Sequence, residues 1–219
     1  MTSTNKPSPS EKRAFANQIA MELGKTPIQF DTSIPQPLYH FSNGEWVPVS
    51  PPPTNNSRPP AQPGENGPQI RLTTWNIDFQ GPAKWTRMKG ALEYLSRLLS
   101  PSSTSTSNDK DDDSDIPSVI FLQEMVYASL IQIQEAPWIR ERFFITDLSD
   151  DHWKGAYGTT TLVDKRLAVQ RVFRVLFSMS NMQRDGLFVD IGVGTAVQGM
   201  LQLPFSCLTY TLGVLTRKR

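Results

Sequence analysis

Asn76 and Glu124 are the two side chains whose type and placement could do chemistry together. Each stands at the end of a stretch that reads as a strand. From Ile70 to Ile77 the residues alternate, so that Ile70, Leu72 and Thr74 share a face with Asn76 at the far end. Val119-Ile120-Phe121-Leu122 is apolar without interruption and stops on Gln123-Glu124. A short run that is apolar on both faces suits a strand covered on both sides, and sheets of that kind bind ligands at strand ends. A carboxylate there needs a cation, a hydrogen-bond donor or open water. The competing role for Glu124 is to cap or salt-bridge the helix that follows, where the helix dipole favours negative charge. The spacing is equally compatible with both.

Thr73-Thr74-Trp75-Asn76-Ile77-Asp78 and Phe121-Leu122-Gln123-Glu124-Met125 carry more than a pattern. They resemble the first two motifs of the endonuclease/exonuclease/phosphatase family, in its tyrosyl-DNA phosphodiesterase branch. The resemblance runs from about Ile70 to Ile191, roughly half of a family domain. It implies that Asn76 and Glu124 sit side by side at the top of a β-sandwich, and that Glu124 holds a magnesium ion, with manganese as the alternative. A second block, Tyr157-Gly158-Thr159-Thr160-Thr161-Leu162 and Met182-Gln183-Arg184-Asp185-Gly186-Leu187-Phe188-Val189-Asp190, also resembles that branch. It implies Tyr157 in the substrate groove and Arg184 near a phosphate. The bland roles are packing for the tyrosine and an exposed turn position for the arginine. His152, beside Asp150, Asp151 and Trp153, does not match the family's catalytic histidine and reads as a loop residue.

The elements that must position these residues follow from periodicity. Met88, Ala91, Leu92, Leu95, Leu98 and Leu99 recur at helical spacing, which predicts an amphipathic helix laid on a sheet. Val126 to Ala136 predicts a second helix, ended by Pro137. Short strands are expected at 143–145, 158–163, 169–177 and 187–191, with Asp164-Lys165-Arg166 as a hairpin tip and Arg184-Asp185-Gly186 as a further turn. Strand, helix, strand, helix and then hairpins predict a mixed α/β sandwich. If the Ile70 and Glu124 strands are parallel, the first helix is their crossover; otherwise it joins two sheets.

The rest of the chain is read as outside that domain. Of 18 prolines, 13 precede Gln69, and residues 1–69 are expected to be a proline-rich, mostly disordered leader. Within it, Ser8 and Glu11 form a capping box, with Pro9 at the first helical position, for a helix from Pro9 to Leu23. The prolines from Pro51 to Pro68 suggest a spacer or a ligand for a proline-recognising domain. Asp109, Asp111, Asp112, Asp113 and Asp115 lack the glycine and distant glutamate of a calcium loop and read as a solvated insertion. Lys and Arg number 22 against 21 Asp and Glu, so any contact with nucleic acid must be local. One cysteine, Cys207, excludes an internal disulfide framework and any multi-cysteine zinc module. The polar start has no signal-peptide core, which points to nucleus or cytoplasm rather than secretion.

Phosphodiester hydrolysis needs an in-line water, a cation against the growing phosphoryl charge and help for the leaving oxygen. The family's later equipment is a histidine in a Thr-His-Leu-like strand, a Gly-Asp-x-Asn turn and a late Ser-Asp-His. After Ile191 this sequence has no His, Asp or Glu. Residues 192–219 are apolar until Arg217-Lys218-Arg219 and are expected to lie outside the family fold, with a membrane span as the minor reading. Two functions are therefore expected: a magnesium-dependent phosphodiesterase acting on DNA ends, truncated and inactive in this form, or a non-catalytic fragment or interaction protein.

Overall fold

The run from Val119 to Leu122 is apolar on both faces because both faces are covered. In the computed structural model these residues lie in strand β5 (Ser118–Met125). Its Ile120 and Leu122 point into a cluster with Met88, Leu95, Leu130 and Ile133 from the helices. Val119 and Phe121 point the other way, against Val172, Leu187, Val189 and Ile191 of a second sheet. One strand thus serves two cores, and each fully buried aliphatic side chain contributes on the order of 2 kcal/mol.

The structure describes residues 8, 11, 14, 18, 29–49, 69–100, 116–180, 184–192 and 200–206, the last as backbone alone. The proline spacer at 51–68, the aspartate run, Cys207 and most of the expected helix at 9–23 lie outside the described residues. At the start of that helix the capping box is formed: Ser8 N–H donates to Glu11 Oε2 at 2.6 Å, and Glu11 N–H donates to Ser8 Oγ at 3.2 Å.

Ten strands and three helices are described. The first sheet runs β3-β2-β6-β7-β5-β4, using β2 (Tyr39–Ser42), β3 (Glu45–Pro48), β4 (Arg71–Asn76), β6 (Phe143–Ile145) and β7 (Gly158–Asp164) with β5. Only β4 and β5 are parallel, in the register Asn76↔Gln123, and α1 (Lys84–Leu99) is their crossover. The second sheet runs β1-β8-β9-β10, from β1 (Ser33–Pro35), β8 (Ala168–Leu176), β9 (Asp185–Gly192) and β10 (Met200–Ser206), antiparallel throughout. Helices α1, α2 (Tyr127–Glu135) and α3 (Pro137–Arg142) supply the outer core with β5 and β7.

Helix α1 buries Met88, Ala91, Leu92, Leu95 and Leu99, while Leu98 falls on its exposed side. Its last turn has no glycine cap. Instead Arg142 Nη1 donates to Leu99 O at 2.9 Å, and Ser100 Oγ donates to Ser96 O at 2.7 Å. Two of the orphan carbonyls at that end are thereby satisfied.

Several expectations change. Residues 33–48 are not leader but three strands of the two sheets, because Asn43 and Gly44, both at positive φ, make a two-residue hairpin turn between β2 and β3. Helix α2 ends at Glu135, with Ala136 as its C-cap directly ahead of Pro137, as expected; Pro137 then opens a third helix that was not expected, α3, where its missing N–H costs nothing. Asp164-Lys165-Arg166 is no hairpin tip, since β7 and β8 belong to different sheets and the turn carries the chain between layers. Asp185 and Gly186 are already in β9. The expected boundary at Ile191 is crossed as well: β10, within the expected apolar tail, pairs with β9 from Met200↔Gly192 to Ser206↔Gly186. No helix among the described residues is long and apolar enough to cross a membrane.

Among the described residues strand β4 ends the first sheet. Arg71 N–H and Ile77 N–H donate towards β5, to Pro117 O and Gln123 O at 2.9 Å, so in a parallel ladder Leu72, Thr74 and Asn76 turn their backbone groups outward. Leu72 is 43% exposed, and Trp85, Tyr94 and Leu98 are exposed on α1. An open edge flanked by apolar side chains templates pairing with other chains. The protein is expected to self-associate with concentration, and Leu72→Lys to shift it towards monomer. Sedimentation showing the same monomer at every concentration would contradict this.

Candidate functional site at the β4 and β5 strand ends

Strand β4 follows β5 to its last residues, which places Asn76 beside Gln123 and one residue from Glu124. There the backbone departs from the ladder. β5 pairs with β7 through Leu122↔Thr160 and then Met125↔Gly158, and the irregularity between them contains Glu124 at φ 53°. A left-handed conformation costs a residue with a Cβ about 1–2 kcal/mol. Such strain concentrates where a side chain must be aimed. Here the bulge lifts Glu124 out of the period-2 alternation, leaving it partly exposed at the sheet end while Met125 is buried.

The role of Glu124 as a helix cap is not realised. Helix α2 has Val126 at its N-cap, no side-chain capping bond and no acidic residue in its first turn. Among the described residues the Glu124 carboxylate enters no ion pair, so it faces water. Replacing Glu124 by glycine should relieve the φ strain, and the glycine variant is expected to be about 1 kcal/mol more stable than the alanine variant. Equal denaturant midpoints for the two would show that the strain is absent.

Asn76 orders the loop that follows it. Its Oδ1 accepts the Asp78 N–H at 2.8 Å, and Asp78, at φ 60°, accepts the Gln80 and Gly81 N–H groups at 3.2 Å. Arg87 closes the loop from α1: Nη1 donates to Pro82 O at 2.8 Å, Nη2 donates to Asp78 O, and the Asp78 carboxylate lies 3.7 Å away. The loop thus laced presents Phe79, which stacks on Tyr157 with centroids 3.9 Å apart and planes 16° apart. Tyr157 immediately precedes Gly158, the β7 residue opposite Met125. Asn76, Glu124 and Tyr157 therefore converge at one end of the first sheet.

Arg184 stands at the start of β9 on the second sheet. Its N–H donates to Ser180 Oγ at 2.9 Å, and its carbonyl accepts the Phe177 N–H at 3.1 Å. What joins the two sheets near this end is a buried cluster that sequence reasoning missed. Arg174 of β8 donates to Asp185 Oδ2 and Asp147 Oδ1, each at 3.0 Å, and to Thr159 Oγ1 at 3.2 Å. Burial pushes the Asp185 carboxyl up, and the opposing pull of Arg174 does not cancel it. The overlooked signal was an arginine between Val172 and Leu176 at strand spacing, an inward position that demands buried acid partners. Phe79 was missed because its placement depends on the loop, not on a period.

The donor set bears on magnesium. Among the described residues no group of three His, Cys, Asp or Glu could hold a metal ion. A single carboxylate facing water still fits an ion that keeps most of its own waters. The fit is to a weakly held ion with Glu124 as its one charged ligand.

Fold and site together define a two-sheet α/β sandwich with an asparagine and a glutamate side by side at neighbouring strand ends. In solved structures the chain is similar to TDP2 from Caenorhabditis elegans, at 21% identity and a TM-score of 0.46 over 65% of this chain and 36% of that one. It is also similar to a humanized D. rerio TDP2, at 20% and 0.45 over 64% and 47%. A third is D. rerio TDP2 complexed with a single-strand DNA product, at 20% and 0.44 over 62% and 44%. The chain spans less than half the length of these proteins. No family model matches the sequence, and no curated protein matches it.

Proposed function

We propose that Asn76, Glu124, Tyr157 and Arg184 form part of a magnesium-dependent phosphodiester site of the endonuclease/exonuclease/phosphatase kind, directed at DNA ends. The observation that carries this reading is the Glu124 bulge, which aims an unpaired carboxylate out of the sheet beside Asn76. A bound magnesium would neutralise charge on phosphoryl oxygens. Glu124 would hold the ion, with manganese as the alternative. Asn76 offers donor and acceptor without adding negative charge. Its Oδ1 is already engaged by Asp78, which fixes the amide and leaves its N–H groups for a phosphate oxygen. Tyr157, stiffened by Phe79, walls the groove. Arg184 approaches from the second sheet as the phosphate-binding cation.

These residues bind and orient; they include no acid or base for the attacking water or the leaving oxygen, and each such function is worth roughly 10²–10⁴-fold. The site as constituted is therefore a binding site that does not turn over phosphodiesters. Calorimetric titration is expected to give weak magnesium binding that Glu124→Gln removes. An oligonucleotide bearing a 5′-phosphotyrosine is expected to bind in magnesium without being cleaved. Tight magnesium binding that survives Glu124→Gln overturns the assignment of the ion, and cleavage lost in that variant overturns the inactivity. The second reading, a non-catalytic interaction protein, is favoured by the open β4 edge. Its signature is partner capture unaffected by Glu124→Gln and abolished by Leu72→Lys.

A further inference from the structure

We infer that Arg174 is a positioning residue for the proposed phosphodiester site, on whose reading this inference rests: one guanidinium fixes the Tyr157 end of β7 and the Arg184 end of β9 as a unit. Arg174 is 2% exposed and reaches from β8 of the second sheet into the first. Its Nη1 donates to Asp185 Oδ2, next to Arg184, and to Thr159 Oγ1, two residues past Tyr157. Its Nη2 donates to Asp147 Oδ1 at 3.0 Å and to Thr159 O at 3.3 Å. Asp147 is itself held, its Oδ2 accepting from Thr146 Oγ1 at 2.6 Å and Thr160 Oγ1 at 2.9 Å.

The bond to Thr159 O shows why an arginine is needed there. Thr161 O is taken by the Thr146 N–H just past the end of β6, and carbonyls two residues apart emerge on the same side of a strand. Thr159 O therefore emerges where β6 has already ended at Ile145. Arg174 supplies the donor that the ladder no longer provides and holds the first residues of β7, just past Tyr157, in line.

If adhesion between the sheets were the only need, apolar side chains would serve as well or better than a buried ion cluster. The fork of donors does what they cannot: it sets an angle and a register between two strand ends. Lysine carries the same charge without the fork, so Arg174→Lys separates geometry from charge.

The test is a double-mutant cycle on the full chain, reading affinity for an oligonucleotide with a 5′-phosphotyrosine in magnesium. Arg174→Lys and Arg184→Ala are each expected to weaken binding about 10-fold, and the double variant clearly less than the roughly 100-fold product, because with Arg184 gone only the Tyr157 end is left to loosen. Losses that multiply to about 100-fold show that Arg174 does not act through Arg184 and overturn the inference. Amide hydrogen exchange gives a reading independent of binding: in Arg174→Lys, residues 157–159 and 184–186 should exchange at least about 10-fold faster while β5 stays protected. Unchanged exchange at both strand ends overturns it too. Should Arg174→Lys fail to fold, Asp185→Asn releases only the β9 tie. It is then expected to speed exchange at 184–186, leave 157–159 unchanged and weaken oligonucleotide binding; any other pattern counts against the inference. If the wild type binds no oligonucleotide while exchange responds as stated, the phosphodiester reading has failed, and Arg174 is a cross-link between sheets and not a positioning residue.

Discussion

Asp164→Asn is expected to cost about 3 kcal/mol of stability at neutral pH and far less in acid. Asp164 is 1% exposed. Its Oδ2 accepts from Arg142 Nε and Arg166 Nη2 at 2.9 Å, and its Oδ1 from Arg166 Nε at 2.9 Å and the Arg166 N–H at 3.1 Å. Arg142 also caps α1 through Leu99 O, so the carboxylate fixes a helix end at one remove. Taking one partner from a buried pair costs roughly 3–5 kcal/mol. The low end applies because Arg166 is 37% exposed and water screens it.

The pH dependence has a definite sign. Burial alone would raise the Asp164 carboxyl, but the hydrogen bonds from Arg166 and then Arg142 outweigh it and hold its pKa below the ordinary 3.8. A depressed folded value means stability that is complete above about 3.8 and is lost as pH falls through the folded value. Asp185 runs oppositely: its raised value means a contribution complete below 3.8 and lost as pH rises through the folded value. Urea unfolding of wild type and Asp164→Asn at pH 7 and pH 3 separates the two. The gap between the proteins should narrow in acid. A gap of the same size at both pH values would remove the ion pair from the account.

Gly158→Ala should be the most damaging single-atom change near the site. A Cβ at 158 would lie 2.2, 2.3 and 2.5 Å from Cδ2, Cγ and Cδ1 of Trp153. Those atoms are the root of the indole ring, and Trp153 is buried in the outer core, so the whole ring must move. Overpacking of this kind typically costs 1–3 kcal/mol. The thermal midpoint should fall by roughly 3–10 °C. Because Gly158 pairs with Met125 and follows Tyr157, the Phe79–Tyr157 stack should loosen with it. A near-UV dichroism spectrum identical to wild type, with an unchanged midpoint, would show that the ring has room.

The parts that were legible in the sequence are those where period and layer agree. β5 reads as doubly covered because it is, and of the six α1 positions that the helical spacing picked out, five are buried. Asn76 and Glu124 could be placed together because parallel neighbours with a helical crossover bring strand ends to one side. The backbone at Glu124 was not legible. A bulge leaves no trace in hydrophobic period, and its αL residue is a glutamate rather than the glycine or asparagine that would announce it. The β2–β3 hairpin was legible and overlooked: Asn43-Gly44 between Phe41 and Trp46 is a strong turn signal, masked by the surrounding prolines. Arg174 needed partners from two other strands or loops, and no local pattern names Asp147 and Asp185 as those partners.

The early strands also set an order of events during synthesis. β1 pairs with β8 in the register Ser33↔Val175, and β2 pairs with β6 at Tyr39↔Ile145, partners more than a hundred residues downstream. On a ribosome adding about 5–20 residues per second, β1 and β2 emerge several seconds before β8 and β6. Loop closure over such a span is slow compared with forming the β2–β3 hairpin or α1. Tyr39, Phe41 and Trp46 therefore stay without their later cover until β6 and the helices have been made. This makes the segment from β1 to β3 the one through which holding chaperones would set the yield of folded protein.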